Sequence, residues 1–319
     1  YIPDGLGDLE YHLMLNNVRD DSCSIAIPRF RNLMRAFERS GITKNRNLTK
    51  KQIRDATEEF IKTLTQIKWK AMRRTDFLLY NNSIFYRYVG LSLMKQRVIP
   101  FLSKKLGYSP NLYPMRDVEV SVRPKNFYDA AKKFIYEILS GIGADFSKNI
   151  VLDQPFVGNN PTKSFPFFEN PKAIVVDRDP RDNYLFSKIF LSQKGCYMPT
   201  NNVQDFVKYY KLLRDEQPYK NSNENILLLK FEDMIYNYNS TTNKLNQFLG
   251  LPENSSKFTI FDPNISISNT QLFNRFPEYK NDIKYIEKEL PEYLFNFQNY
   301  PIPVRNGPMF MGKSPLNKF

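Results

Sequence analysis

Histidine, cysteine and tryptophan are nearly absent: the chain of 319 residues holds one His, two Cys and one Trp. Cys/His metal sites need three or four donors, so His12, Cys23 and Cys196 exclude a zinc cluster and most His-rich metal-hydrolase designs. No metal is expected. The two cysteines permit at most one disulfide, and a reducing, cytoplasmic setting is the simplest fit. No apolar run approaches the ~18 residues of a membrane span, so no transmembrane segment is expected. The sequence opens at Tyr1 without a methionine, and a signal or anchor ahead of it cannot be judged. No internal repeat or low-complexity tract stands out.

Hydrophobic residues make up 41% of the chain and charged ones 25%, enough for a sizeable core, so disorder is not the default. The net charge of +13 attracts anions: phosphorylated nucleotides, nucleic acid, acidic glycans or anionic lipid. The basic residues are spread along the chain and form no arginine-rich tail. That distribution favours a small anionic cofactor, and nucleic acid is not expected as a partner.

Along the chain, short apolar runs alternate with amphipathic segments. Pro3-Asp4-Gly5-Leu6-Gly7-Asp8 reads as a glycine-bearing loop between a strand end and a helix, where backbone N–H groups can cradle a phosphate. A plain turn is the competing reading. Residues 25–145 are mostly helical in character, with apolar stripes such as Ile53, Ala56, Phe60, Ile61 and Leu64 in a segment from Lys50 to Arg74. Lys68, Lys70, Arg73 and Arg74 read as a solvated helix face. Residues 77–107 are aromatic-rich, helical from Ser83 onward, and Val118–Val122 is a short segment within a loop. Asn126–Leu139, Val203–Asp215, Thr241–Leu249 and Asn281–Phe297 read as helices. Ile150-Val151-Leu152, Ala173–Val176 and Ile226–Leu229 read as buried strands, and residues 301–319 as an irregular C-terminal loop. Strands alternating with helices give an α/β fold with a parallel sheet, in one domain over 1–319.

The most informative stretch follows Val176: Asp177-Arg178-Asp179-Pro180-Arg181-Asp182. Pro180 can start a helix, with Asp179 as its N-cap and Asp182 in the first turn. A charged turn at the carboxyl end of a parallel strand is where open α/β sheets bind ligands, and a guanidinium there grips phosphate. A capped turn with an internal Arg–Asp ion pair is the structural alternative. Gly307–Ser314 fits the G-x-x-x-x-G-K-S phosphate-loop pattern, but Pro315 follows at once and leaves no room for the required helix.

Three segments in order, Arg178-Asp179-Pro180-Arg181-Asp182, Leu229-Lys230-Phe231-Glu232-Asp233-Met234 and Phe248-Leu249-Gly250-Leu251, resemble the sulfotransferases that use 3′-phosphoadenosine 5′-phosphosulfate. The likeness covers residues 150–252. It implies a P-loop-like three-layer fold with a central parallel sheet and additional helices, and a bound product of 3′,5′-adenosine bisphosphate. By position, Arg178 would hold the 3′-phosphate with Ser187, although the family serine falls where this chain has Phe186, and Tyr184 could supply the hydroxyl instead. Arg305-Asn306-Gly307 is similar to the family's late loop over the same phosphate, with Arg305 and Gly307 retained. Gly5, Leu6 and Gly7 would stand for its 5′-phosphosulfate loop, but lack that loop's basic residue and hydroxyls. The acceptor's proton would go to a base, ranked His12, then Glu10, with Asp153 at a neighbouring strand end.

The resemblance thus implies in-line transfer of a sulfuryl group to a hydroxyl, without metal or covalent enzyme intermediate. The acceptor expected is a sugar or polysaccharide, of the bacterial surface-glycan kind, with a sterol or phenolic small molecule open. The rivals are a nucleotide-dependent phosphotransferase and a non-enzymatic acidic-glycan-binding protein.

Overall fold

The computed structural model describes residues 2–15, 20–40, 47–71, 100–101, 104, 116–156, 158–191, 198–215, 223–252 and 261–303. The aromatic-rich helix from Ser83, Arg305, Gly307, the Gly307–Ser314 pattern and Cys196 lie outside these residues. The chain is mixed helix and sheet, divided into two compact units: Tyr1–Phe156 with Thr162–Glu169, and Val157–Pro161 with Asn170–Phe319.

The first unit is built on helices α1 (Ile2–Glu10), α2 (Asp20–Arg39), α3 (Lys50–Leu64) and α4 (Phe127–Gly141). Helix α3 opens on a reciprocal capping box, Thr49 accepting from the Gln52 amide and Gln52 from the Thr49 amide, which satisfies two otherwise orphaned donors. Its apolar stripe and those of α1, α2 and α4 meet in one core, where Phe60 stacks on Phe134 at 5.1 Å and meets Phe30 edge-on at 5.3 Å.

Three expectations change here. The glycine-bearing loop is not a loop: residues 2–10 are α1, and Gly5 and Gly7 lie within it. The apolar pattern of Leu6, Leu9 and Leu13, all buried, outweighs two glycines that each cost a helix only about 1 kcal/mol. The segment taken as helix to Arg74 stops at Leu64, and Ile67–Ala71 becomes strand β1, antiparallel to β2 (Arg116–Val120). The lysines expected on a helix face instead lie along the ladder: Lys70 pairs with Asp117 at 2.7 Å, and Lys68 with Asp117 and buried Glu119 at 3.2 and 3.1 Å. Ile150-Val151-Leu152 is neither strand nor buried, with Val151 89% exposed.

Gly5 has a packing reason. A Cβ there would come within 2.3 Å of Leu33 Cδ2. Gly5→Ala gains about 1 kcal/mol of helix propensity, but overpacking a core costs about 1–3 kcal/mol, so a net loss of up to ~2 kcal/mol is expected in urea unfolding. A net gain would show that Leu33 yields freely.

The second unit carries strand β3 (Ala173–Asp177) beside β4 (Ile226–Lys230), parallel and in register from Ala173↔Ile226 to Asp177↔Lys230. Among the described residues this is the parallel pairing that forms. Helices α5 (Pro180–Phe186), α6 (Val203–Asp215), α7 (Asp233–Tyr236), α8 (Tyr238–Leu249) and α9 (Lys280–Glu289) accompany it. Gly250 ends α8 with φ +68°, the left-handed cap glycine adopts without strain. Tyr184, Leu185, Phe206, Tyr210, Leu272, Ile283, Ile286 and Leu290 form the core. No described helix is long and apolar enough to cross a membrane.

Candidate functional site at the ends of the parallel strands

The register of β3 and β4 brings Arg178-Asp179 and Phe231-Glu232 together at one sheet edge, where the Phe231 amide still donates to the Asp177 carbonyl at 2.8 Å. Asp179 caps α5 by accepting from the Arg181 amide at 2.9 Å, with Pro180 as first helical residue. Its carboxylate also takes the Arg181 guanidinium in a fork, at 3.0 and 2.8 Å, and the Phe295 amide at 2.8 Å. Arg181 continues to Glu287 at 2.9 Å and the Phe295 carbonyl at 3.2 Å, with Phe273 under its plane at 4.1 Å. The internal Arg–Asp pair anticipated in this turn is therefore Arg181–Asp179. Arg181 is fully occupied in structure.

Asp182 and Glu232 are wholly buried. Asp182 accepts the amides of Gln271 and Leu272, both at 2.7 Å, and Glu232 accepts the Asp179 amide at 3.0 Å. The second Glu232 oxygen, Oε2, is buried with no hydrogen bond. Burial, with Asp179 adding repulsion, pushes each carboxyl up to about 7; Arg178 and the amide bonds pull the other way without prevailing.

Arg178 stands apart from this saturation. Its amide donates to Asp177 Oδ1 at 2.9 Å, and its guanidinium lies between two rings, Phe186 at 4.9 Å and Phe231 at 5.2 Å. Nη2 donates to the Asn269 carbonyl, while Nε is buried with no hydrogen bond and Nη1 makes none to the described residues. Burial lowers its pKa from the ordinary arginine value, opposed by Asp182, Glu232 and Asp179; it remains a cation. A partly buried guanidinium with Nη1 unspent can donate to an oxyanion, whereas the buried Nε cannot reach one.

The other expected residues divide between the units. Phe186, at the position where a serine was looked for, stacks on Arg178; Ser187 follows it, buried at the end of α5. Tyr184 is buried with its hydroxyl donating to Asp282 and accepting from Lys188, both at 2.7 Å, and burial followed by Asp282 raises its pKa far beyond neutrality. In the first unit, His12 Nε2 lies 3.2 Å from Arg29 Nη1 and 3.6 Å from Asp8, which itself pairs with Arg29 at 2.9 Å. Glu10 accepts a short hydrogen bond from Tyr128, whose pKa is pushed up to about 12 by that carboxylate. Asp153 is exposed. Gly5, Leu6 and Gly7 lie inside α1, with Gly5 and Leu6 buried. Among the described residues no group of three or more His, Cys, Asp or Glu could hold a metal ion.

Sequence reasoning missed the rings on Arg178, Asn269 and the contacts from α6. Phe231 could have been found, since it sits between a strand and Glu232; Phe186 and Asn269 carry no local signal. Compared with family models, curated proteins and solved structures, the chain shows no match.

Proposed function

We propose that the protein is a sulfotransferase that moves a sulfuryl group from 3′-phosphoadenosine 5′-phosphosulfate to a hydroxyl of a glycan or polysaccharide. The observation that carries the reading is Arg178: half-buried at the carboxyl ends of two parallel strands, held between Phe186 and Phe231, with Nε and Nη1 unspent. Nη1 can donate to one phosphate oxygen, while Nε is buried and its N–H points to the opposite side of the guanidinium, and ligands of open α/β sheets bind at such edges. The reading carries with it a P-loop-like three-layer fold around a central parallel sheet and a cytoplasmic setting. In the reaction a bond forms between the acceptor oxygen and sulfur, the bridging S–O bond breaks, the bisphosphate leaves, and the acceptor's proton passes to a base.

Calorimetry with 3′,5′-adenosine bisphosphate tests it. Micromolar binding is expected, weakened about 30- to 100-fold in Arg178→Ala, the worth of hydrogen bonds to a charged group. An intact protein that ignores the bisphosphate refutes the reading. Binding of ATP with magnesium in its place would mark a phosphotransferase, and binding of an acidic glycan alone a non-enzymatic module.

A further inference from the structure

The backbone on either side of Arg178 is gripped from one helix. Tyr210 and Arg214 lie one turn apart on α6. The Tyr210 hydroxyl, 3.4 Å from the Arg178 carbonyl, donates to it. Arg214 Nη2 forms an ion pair with Asp177 Oδ1, the same oxygen that accepts the Arg178 amide. The Arg214 guanidinium lies over the Tyr210 ring at 3.3 Å and over the Tyr293 ring at 5.3 Å. We propose that Tyr210 and Arg214 are positioning residues that aim the Arg178 guanidinium by fixing the peptide units before and after it.

Arg214 is an expensive way to stabilise a strand end. Its side chain is 9% exposed, its Nε is buried with no hydrogen bond, and its partner Asp177 is 41% exposed. Leaving a buried donor unpaired costs at least as much as an ion pair with a half-solvated carboxylate returns. Stability alone therefore gives little reason for an arginine here. Geometry does: one oxygen of Asp177 receives both Arg214 and the Arg178 amide, so the cation holds the carboxylate where it orients that amide. A small rotation about the Arg178 Cα would swing its guanidinium out of the slot between Phe186 and Phe231, and misplacement by ~1 Å is enough to cost 10²-fold in a preorganised site.

The inference rests on the bisphosphate reading for its ligand, and the test separates the two. Tyr210→Phe keeps the buried ring and removes the hydroxyl; Arg214→Met keeps much of the stem and removes the charge. Each is expected to weaken 3′,5′-adenosine bisphosphate binding three- to tenfold in the intact protein, with no further loss in an Arg178→Lys background, because all act through one side chain. Equal losses in both backgrounds, or none in the intact protein, would overturn the proposal. A second arm needs no ligand. Exchange of the Arg178 amide hydrogen should quicken at least tenfold in Arg214→Met while amides in the middle of β4 keep their rates. If the intact protein binds no bisphosphate, the sulfotransferase reading falls, and the amide rate alone decides the clamp: unchanged exchange at Arg178 overturns it.

Discussion

Arg181→Met should destabilise the second unit by about 3–5 kcal/mol, the largest single-residue effect expected in this protein. Asp179 has a side chain with 0% exposure and Arg181 one with 10%, so solvent screens the pair poorly. Removing the guanidinium leaves a buried carboxylate with only the amides of Arg181 and Phe295, and strands Glu287 and the Phe295 carbonyl besides. Methionine fills much of the volume, which isolates the electrostatic loss from a cavity. The double variant Asp179→Asn/Arg181→Met should recover part of the loss, because no uncompensated charge then remains and Asn is as good an N-cap, although it keeps only one of the two oxygens that accept the Arg181 and Phe295 amides. Urea unfolding checks both. A cost under 1 kcal/mol for Arg181→Met would mean that Phe273 and Phe297 hold the turn without the ion pair.

Stability is expected to fall as pH rises from about 4.5 to about 8. Burial lifts the Asp182 and Glu232 carboxyls to about 7 in the folded protein, against 3.8 and 4.5 when unfolded. A carboxyl whose folded pKa is raised binds its proton more tightly in the native state, so across that window the native chain holds more protons than the unfolded one. The slope of stability against pH is then negative. The advantage is complete below the unfolded pKa values and gone above the folded ones. For Asp182 by itself the change is on the order of 2–4 kcal/mol. Glu232 does not add in full, because both carboxyls face Asp179 and Arg178. Asp182→Asn also gives up one of two acceptor oxygens for the Gln271 and Leu272 amides, so the informative quantity is the slope: the variant should flatten it. An unchanged slope would assign the dependence to other groups.

Much of the second unit was legible from local pattern. Ala173–Val176 and Ile226–Leu229 are largely β-branched or leucine runs, and both are strands, each one residue longer than expected, but they are not buried on both faces as expected: Ile174, Val176 and Leu228 are exposed. Val203–Asp215 is a helix at the expected bounds, and Gly250 stops α8 as a glycine in that position should. The Asp179-Pro180 start of α5 is a cap readable from two residues. In the first unit, local pattern misled wherever the decisive partner is remote. Glycines at 5 and 7 suggested a loop because Leu33, which needs Gly5 bare, lies on another helix. Ile67-Lys68-Trp69-Lys70 continues a helical stripe in composition, but its period-two alternation is drawn into a ladder by β2, nearly fifty residues on.

The sequence by itself determined that this chain has a basic character, few metal-ligating side chains, parallel strands in its second half and an arginine just past the end of one of them. These follow from composition, from apolar period and from the fixed φ of a proline, all of which are local. Only the tertiary structure decided which of two neighbouring arginines is spent. The resemblance singles out Arg178, and the local pattern alone does not say which arginine makes the ion pair; in the fold, Arg181 meets Asp179, Glu287 and Phe295, while Arg178 meets two rings and a single carbonyl. The difference is physical and non-local: Glu287, Phe295, Asn269 and the α6 pair Tyr210 and Arg214 arrive from segments far along the chain, and their approach is set by core packing.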